Sequence, residues 1–126
     1  MRFVHTMIRV RDIERSLEFY CGFIGLHEVK RKTIGDEATL VFLSDDEEKH
    51  FIELTYNHDG RDYELGDQFG HLAFSVSNLD EVEEKIKKLG WEYWPARPEV
   101  GSKYLFVCDP DGYDIEIIEE KQKKEE

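Results

Sequence analysis

A chain of 126 residues, 40% apolar and 13% aromatic, fits one folded domain with a substantial core and excludes a disordered tail protein. Its 17 basic against 29 acidic residues leave a formal net charge of -12. That balance excludes nucleic acid or an anionic membrane as the main partner, since both require a cationic footprint, and an anionic small substrate would need a local basic pocket.

The first residues, MRFVHTMIRVRD, place Arg2, Arg9, Arg11 and Asp12 where a signal peptide would carry its apolar region. No apolar run reaches membrane-spanning length, so no membrane role is expected. Cys21 and Cys108 are the only cysteines, and they read as reduced core thiols rather than a disulfide framework. Neither has an obvious base beside it that would make it a nucleophile. A cytoplasmic protein is expected.

Residues 2–10 alternate like a strand, and RDIERSLEFYCGFIGL then carries Ile13, Leu17, Tyr20 and Ile24 at helical spacing, with Asp12 as cap and Gly25 as stop. Three strand-like runs follow: LHEVKRKTI, EATLVFL and HFIELTY. A polar loop, Asn57 to Phe69, leads into the alternating GHLAFSVSN. Next, Leu79, Val82, Ile86 and Leu89 share a helical face, with Asn78 and Glu81 at capping-box spacing and Gly90 as stop. The chain closes with WEYWP, KYLFVC, the turn DPDG, the strand YDIEIIE and a solvated tail, 121–126.

Both halves therefore read β-α-β-β-β, module 1 over about 1–57 and module 2 over about 70–120. The landmarks repeat at a nearly constant offset: 66 residues from His5 to His71, 66 from Asp12 to Asn78, and 65 from Gly25 to Gly90. Glu53, in FIELT, has a counterpart in Glu116 of DIEII, 63 residues on. Each half thus supplies one His on its first strand and one Glu on its last. Two nitrogens and two carboxylates suit a divalent ion of the zinc, nickel, cobalt or manganese group. Period-2 alternation puts His5 with Met7 and Arg9, His71 with Ala73 and Ser75, and Glu53 with Thr55 and Asn57. His27, His50 and His58 lack such pairing between halves and read as surface or loop residues.

The segments HTMIRVRDIERSLEFY, IELTYN with YELG after it, GHLAFSV and DPDGYDIEIIEE together resemble the glyoxalase I (lactoylglutathione lyase) family of the vicinal oxygen chelate superfamily. The resemblance runs over nearly the whole chain. It implies an α+β fold, a single domain of two tandem βαβββ modules whose curled mixed sheets surround a metal. It implies isomerisation of the methylglyoxal–glutathione hemithioacetal to S-lactoylglutathione, by proton transfer through a metal-bound ene-diolate. The implied ligands are His5, Glu53, His71 and Glu116; Glu116 is the principal base and Glu53 plays a secondary or mirror role. Arg9 and Asn57 are implied to hold the glutathione part, while Lys103 falls out of register with the family's substrate-binding lysine. A short chain without insertions resembles the branch activated by Ni2+ or Co2+, with Zn2+ possible, and the resemblance implies a homodimer with the metal shared between subunits.

Three rivals share the superfamily. An epimerase of the methylmalonyl-CoA type uses similar proton abstraction, but ELTYN with Asn57 favours glyoxalase. A ring-cleaving dioxygenase needs a site of two His and one carboxylate for iron, and Glu53 is one carboxylate too many. A metal-free binding module has no need of four intact ligands.

Overall fold

The computed structural model describes residues 1–120 and divides into two compact units, Met1–Glu64 and a second beginning at Leu65. The boundary falls inside the polar segment that follows IELTYN. The tail expected at 121–126 lies outside the described residues.

The first unit runs β1 (His5–Arg9), α1 (Ile13–Leu17), a π-helical turn (Glu18–Phe23), β2 (His27–Ile34), β3 (Ala38–Ser44) and β4 (Phe51–Asn57). Asp12 caps the helix as expected, its carboxylate accepting from the Arg15 amide at 3.1 Å. The π turn was not expected, and it moves the buried face. Ser16, Phe19 and Tyr20 are buried, whereas Ile13, Leu17 and Ile24, at the spacing of an undisturbed α-helix, are only half-buried. The strands form one sheet in the order β1-β4-β3-β2, with β1 and β4 parallel and the other pairs antiparallel.

The second unit repeats the plan: β5 (His71–Val76), α2 (Leu79–Leu89), β6 (Tyr93–Trp94), a 3₁₀ turn (Pro98–Val100), β7 (Tyr104–Cys108) and β8 (Asp114–Glu119). Its sheet order, β5-β8-β7-β6, is that of the first with each strand replaced by its counterpart, and β5 and β8 are again parallel. Asn78 Oδ1 accepts from the Glu81 amide, and Gly90, at φ 73°, ends the helix in the left-handed conformation that glycine adopts without strain. WEYWP was expected as a full strand, but only Tyr93 and Trp94 pair with β7, because Pro95 lacks the N–H that a ladder needs and Pro98 opens the 3₁₀ turn.

Each sheet buries the face turned away from its His and Glu: Ile8, Val10, Val41, Leu43, Ile52 and Leu54 in the first unit, all at most 6% exposed, and Leu105, Val107, Ile115 and Ile117 in the second, with Leu79 and Ile86 of α2. In the first unit Ala38, Leu40 and Phe42 are buried on the Glu53 side too, with Phe51 packed against them. The opposite faces carry the His and Glu residues, because alternation sends Glu53 and Glu116 away from their buried neighbours. No helix among the described residues is long and apolar enough to cross a membrane.

The turn DPDG sets the register of β8. Asp109 Oδ1 accepts from the Asp111 and Tyr113 amides, both at 2.9 Å, and the Gly112 amide donates to the Asp109 carbonyl. Gly112 sits at φ 91°, a backbone conformation that favours glycine, and a Cβ there would also press on Leu65 Cδ1 at 3.1 Å. Asp109→Ala strips the side-chain partner from two amides beneath a nearly buried residue, and should cost about 1–3 kcal/mol in urea unfolding. Asp109→Asn keeps an accepting oxygen and should lose clearly less; equal losses would show that the turn does not depend on these bonds.

Candidate metal centre and substrate pocket

In both units the parallel pairing of first and last strand builds the same corner. His5 lies opposite Phe51 in the ladder and Met7 opposite Glu53, so the imidazole reaches Glu53 diagonally. His5 Nε2 is 3.9 Å from Glu53 Oε1. In the second unit His71 lies opposite Asp114 and Ala73 opposite Glu116, and His71 Nε2 is 3.4 Å from Glu116 Oε1. Each imidazole is set by a ring on the third strand: His5 meets Phe42 edge-on at 5.9 Å between centroids, and His71 meets Phe106 at 5.0 Å. Phe42 and Phe106 are themselves 64 residues apart, within the spread of offsets shown by the ligand positions.

These pairs fit two ligands of one ion. Nitrogen and oxygen donors bound at about 2.0–2.2 Å lie roughly 3–4 Å apart as the angle between them opens from a right angle. Imidazole nitrogens and carboxylates are donors that divalent zinc, nickel, cobalt and manganese all accept. Each unit by itself contributes two donors, and no group of three or more His, Cys, Asp or Glu gathers among the described residues.

The two corners differ around the carboxylate. Thr55 Oγ1 donates to Glu53 Oε2 at 3.2 Å, holding that oxygen while Oε1 faces His5. Two residues beyond Glu116 the chain has Ile118, which has no hydroxyl to donate.

Arg9 and Asn57 are brought together as well. Arg9 Nη1 donates to Asn57 Oδ1 at 2.8 Å, and Tyr63 Oη donates to the same oxygen at 2.9 Å. With two bonds accepted by Oδ1, the amide nitrogen is the end of Asn57 able to serve a ligand. Tyr63 is held in turn by Arg11, whose guanidinium donates to the Tyr63 carbonyl at 2.6 Å and to Asp62, and lies 5.5 Å from the Tyr63 ring centroid. Sequence reasoning missed Tyr63, although YELG was among the matching segments, because a lone tyrosine in a polar loop has no periodicity. Alternation had placed Thr55 on the Glu53 face without its hydrogen bond, and sequence reasoning missed Phe42 and Phe106, which the repeat register could have located.

Lys103 lies off the site. It extends β7 opposite Glu119, whose neighbours Ile115 and Ile117 mark the helix-facing side of the sheet, and its Nζ pairs with Glu119 Oε2 at 3.8 Å. Glu119 also accepts from the Leu79 amide at the start of α2. The remaining histidines have other partners: His27 faces Asp46 and Glu48, His50 meets Thr6, and His58 meets Thr39 and the Asp36 carbonyl. Neither thiol is activated. Burial, then Glu28, raises the pKa of Cys21; burial, then its hydrogen bond to Asp114, raises that of Cys108.

Comparison with known proteins places this architecture. Residues 2–117 match the glyoxalase/bleomycin resistance protein/dioxygenase superfamily. The lactoylglutathione lyase of Escherichia coli O157:H7 is 42% identical over 127 residues, covering 96% of this chain and 94% of the relative. Glyoxalase I of Leishmania major, a trypanothione-dependent enzyme, superposes with TM-score 0.82 at 34% identity, over 94% of this chain and 86% of that one. Glyoxalase I of Zea mays superposes with TM-score 0.81 at 29% identity, over 97% of this chain but 46% of the maize chain. The chain belongs to the lactoylglutathione lyase (glyoxalase I) family of that superfamily, whose enzymes are typically dependent on a divalent metal.

If the His and Glu pairs bind as described, protein stripped by chelator and titrated with Ni2+ should take up one ion per chain in calorimetry. His5→Ala and His71→Ala should each abolish tight uptake; retention of full affinity by either would remove that residue from the ligand set.

Proposed function

We propose that this chain is a metal-dependent lactoylglutathione lyase that acts in methylglyoxal detoxification in the cytoplasm, with its two modules working as one catalytic domain. The observation that carries the reading is the repeated His–Glu corner, at 3.9 and 3.4 Å, on corresponding strands of two sheets. His5, Glu53, His71 and Glu116 would hold one divalent ion, with Ni2+ or Co2+ favoured and Zn2+ acceptable to the same donors. Bound there, such an ion supplies Lewis-acid stabilisation of the negative charge that develops on the two adjacent substrate oxygens.

The proton is moved by the protein. Glu116 takes it from the hemithioacetal carbon and returns it to the neighbouring carbon, which leaves the thioester with no net loss of atoms. The contrast between the corners supports this choice: Thr55 occupies one oxygen of Glu53, whereas Ile118 leaves the corresponding oxygen of Glu116 open to a proton. Glu53 is a ligand with a secondary catalytic role. Arg9 and the amide nitrogen of Asn57 hold the thiol half, braced by Tyr63.

A direct assay with methylglyoxal and glutathione, on chelated protein resupplied with Ni2+, Co2+, Zn2+ or Mn2+, tests the activity. Absence of turnover with every ion would end the reading. Within it, Gln keeps size and one coordinating oxygen but not basicity, so Glu116→Gln should lose about 10²- to 10⁴-fold in kcat while shown to be metal-loaded. Glu53→Gln should retain clearly more. A reversed order would transfer the role of base to Glu53.

Each unit offers two of the four ligands, so complete sites require modules to combine, and we place the combination across a homodimer, with His5 and Glu53 from one chain and His71 and Glu116 from the other. The maize chain, about twice the length that this one covers, has room for two such copies in a single polypeptide. Mixing inactive His5→Ala and Glu116→Ala chains should restore one intact site per mixed dimer. No recovery after demonstrated subunit exchange would place the pairing within one chain.

A further inference from the structure

The face of module 1 that carries His5 and Glu53 also presents two cations with no role in the chemistry above. One row across the sheet reads Met7, Glu53, Phe42, Lys30, and the next reads Arg9, Thr55, Leu40, Lys32. Directly opposed residues of neighbouring strands share a face, so both lysines lie on the side of Glu53. Lys30 Nζ stands 4.7 Å from the centroid of the Phe42 ring, the ring whose edge contact sets the His5 imidazole. With strands about 4.8 Å apart, Lys30 lies two strands, roughly 10 Å, from Glu53.

The charges of β2 differ between its faces. Arg31, opposite Val41 on the buried side, is neutralised by Glu28 at 2.8 Å. Lys30 and Lys32 have no carboxylate in ion-pair range among the described residues. The counterpart of Lys30 in module 2, the residue opposite Phe106, is Trp94, so the cationic edge belongs to module 1 and not to the shared plan. In a chain of net charge -12, two adjacent cations beside a metal corner mark the place where an anion is received.

We propose that Lys30 and Lys32 hold a carboxylate of the substrate, forming an anion-binding edge across the sheet from Arg9 and Asn57. The proposal takes its substrate from the lyase reading. Ammonium groups on flexible stems suit this task, since each offers three donors and follows a carboxylate without a fixed fork geometry. Two carboxylate sources share this chemistry: the thiol half, and an acidic group on the 2-oxoaldehyde half. Lysines on an edge strand also discourage sheet-to-sheet pairing, a role that leaves ligand affinity untouched.

The test compares the wild type with Lys30→Gln/Lys32→Gln and with the conservative Lys30→Arg/Lys32→Arg, all metal-loaded. Calorimetry measures the affinity of S-methylglutathione and of its diethyl ester, which lacks both carboxylates. The Gln pair should bind S-methylglutathione about tenfold more weakly, the Arg pair should recover most of that loss, and the ester should not distinguish the proteins. Steady-state KM for the methylglyoxal hemithioacetal should rise with the same ratio at nearly constant kcat. A loss seen only with a 2-oxoaldehyde that carries a carboxylate also supports the edge and assigns the anion to that half. Unchanged affinity and KM throughout, or an equal loss for the diester, overturns it. If the wild type turns over no hemithioacetal, the lyase reading fails, while the S-methylglutathione titration still decides the lysines.

Discussion

Everything at the site depends on one constraint, the parallel pairing of the first and last strand within each module. A parallel pair cannot be joined by a tight hairpin; it needs a crossover, and here a helix and two further strands lie between the partners. Residues far apart in sequence are thereby locked into fixed register at the edge of the sheet. Once Met7 is opposite Glu53 and Ala73 opposite Glu116, the imidazoles two positions earlier are diagonal to the carboxylates. A slip of one residue would turn Glu53 and Glu116 toward the buried side, where a charge without a partner is not tolerated. The apolar face and the His–Glu corner therefore go with the same register.

Around that corner the two modules carry different residues. Thr55 against Ile118, and Lys30 against Trp94, occupy equivalent places and supply different chemistry. Hydrogen bonding and charge sit on the first module's face, whereas the second presents Tyr104, Phe106 and Trp94 beside His71. A duplicated scaffold thus carries two chemically unlike faces on one strand plan.

Much of this was legible beforehand. Capping residues announced both helices, alternation announced the strands, and the offset of His5 and His71 agreed with that of the caps. The pairing of His5 with Glu53 and of His71 with Glu116 was legible because a repeat makes two weak signals confirm each other. The π turn was not, since it leaves no period of its own in the sequence, although it carries the buried Phe19 and Tyr20. The shortness of β6 followed from Pro95 and Pro98, which a reading by alternation overlooked. Lys103 illustrates a subtler limit: its sequence position is already out of register with the family's substrate-binding lysine, but which side of the sheet it takes is visible only in its pairing with Glu119. Tyr63 and Arg11 act through contacts across a loop, which periodicity cannot reveal.

The boundary between Glu64 and Leu65 has an evolutionary consequence. Among the described residues no strand ladder crosses it, since each sheet is built from its own half of the chain. Cutting the polypeptide there, or joining two copies end to end, would leave every backbone pairing intact. Gene fission or fusion at that point therefore preserves the strand ladders of each half and changes only how many of them one transcript encodes.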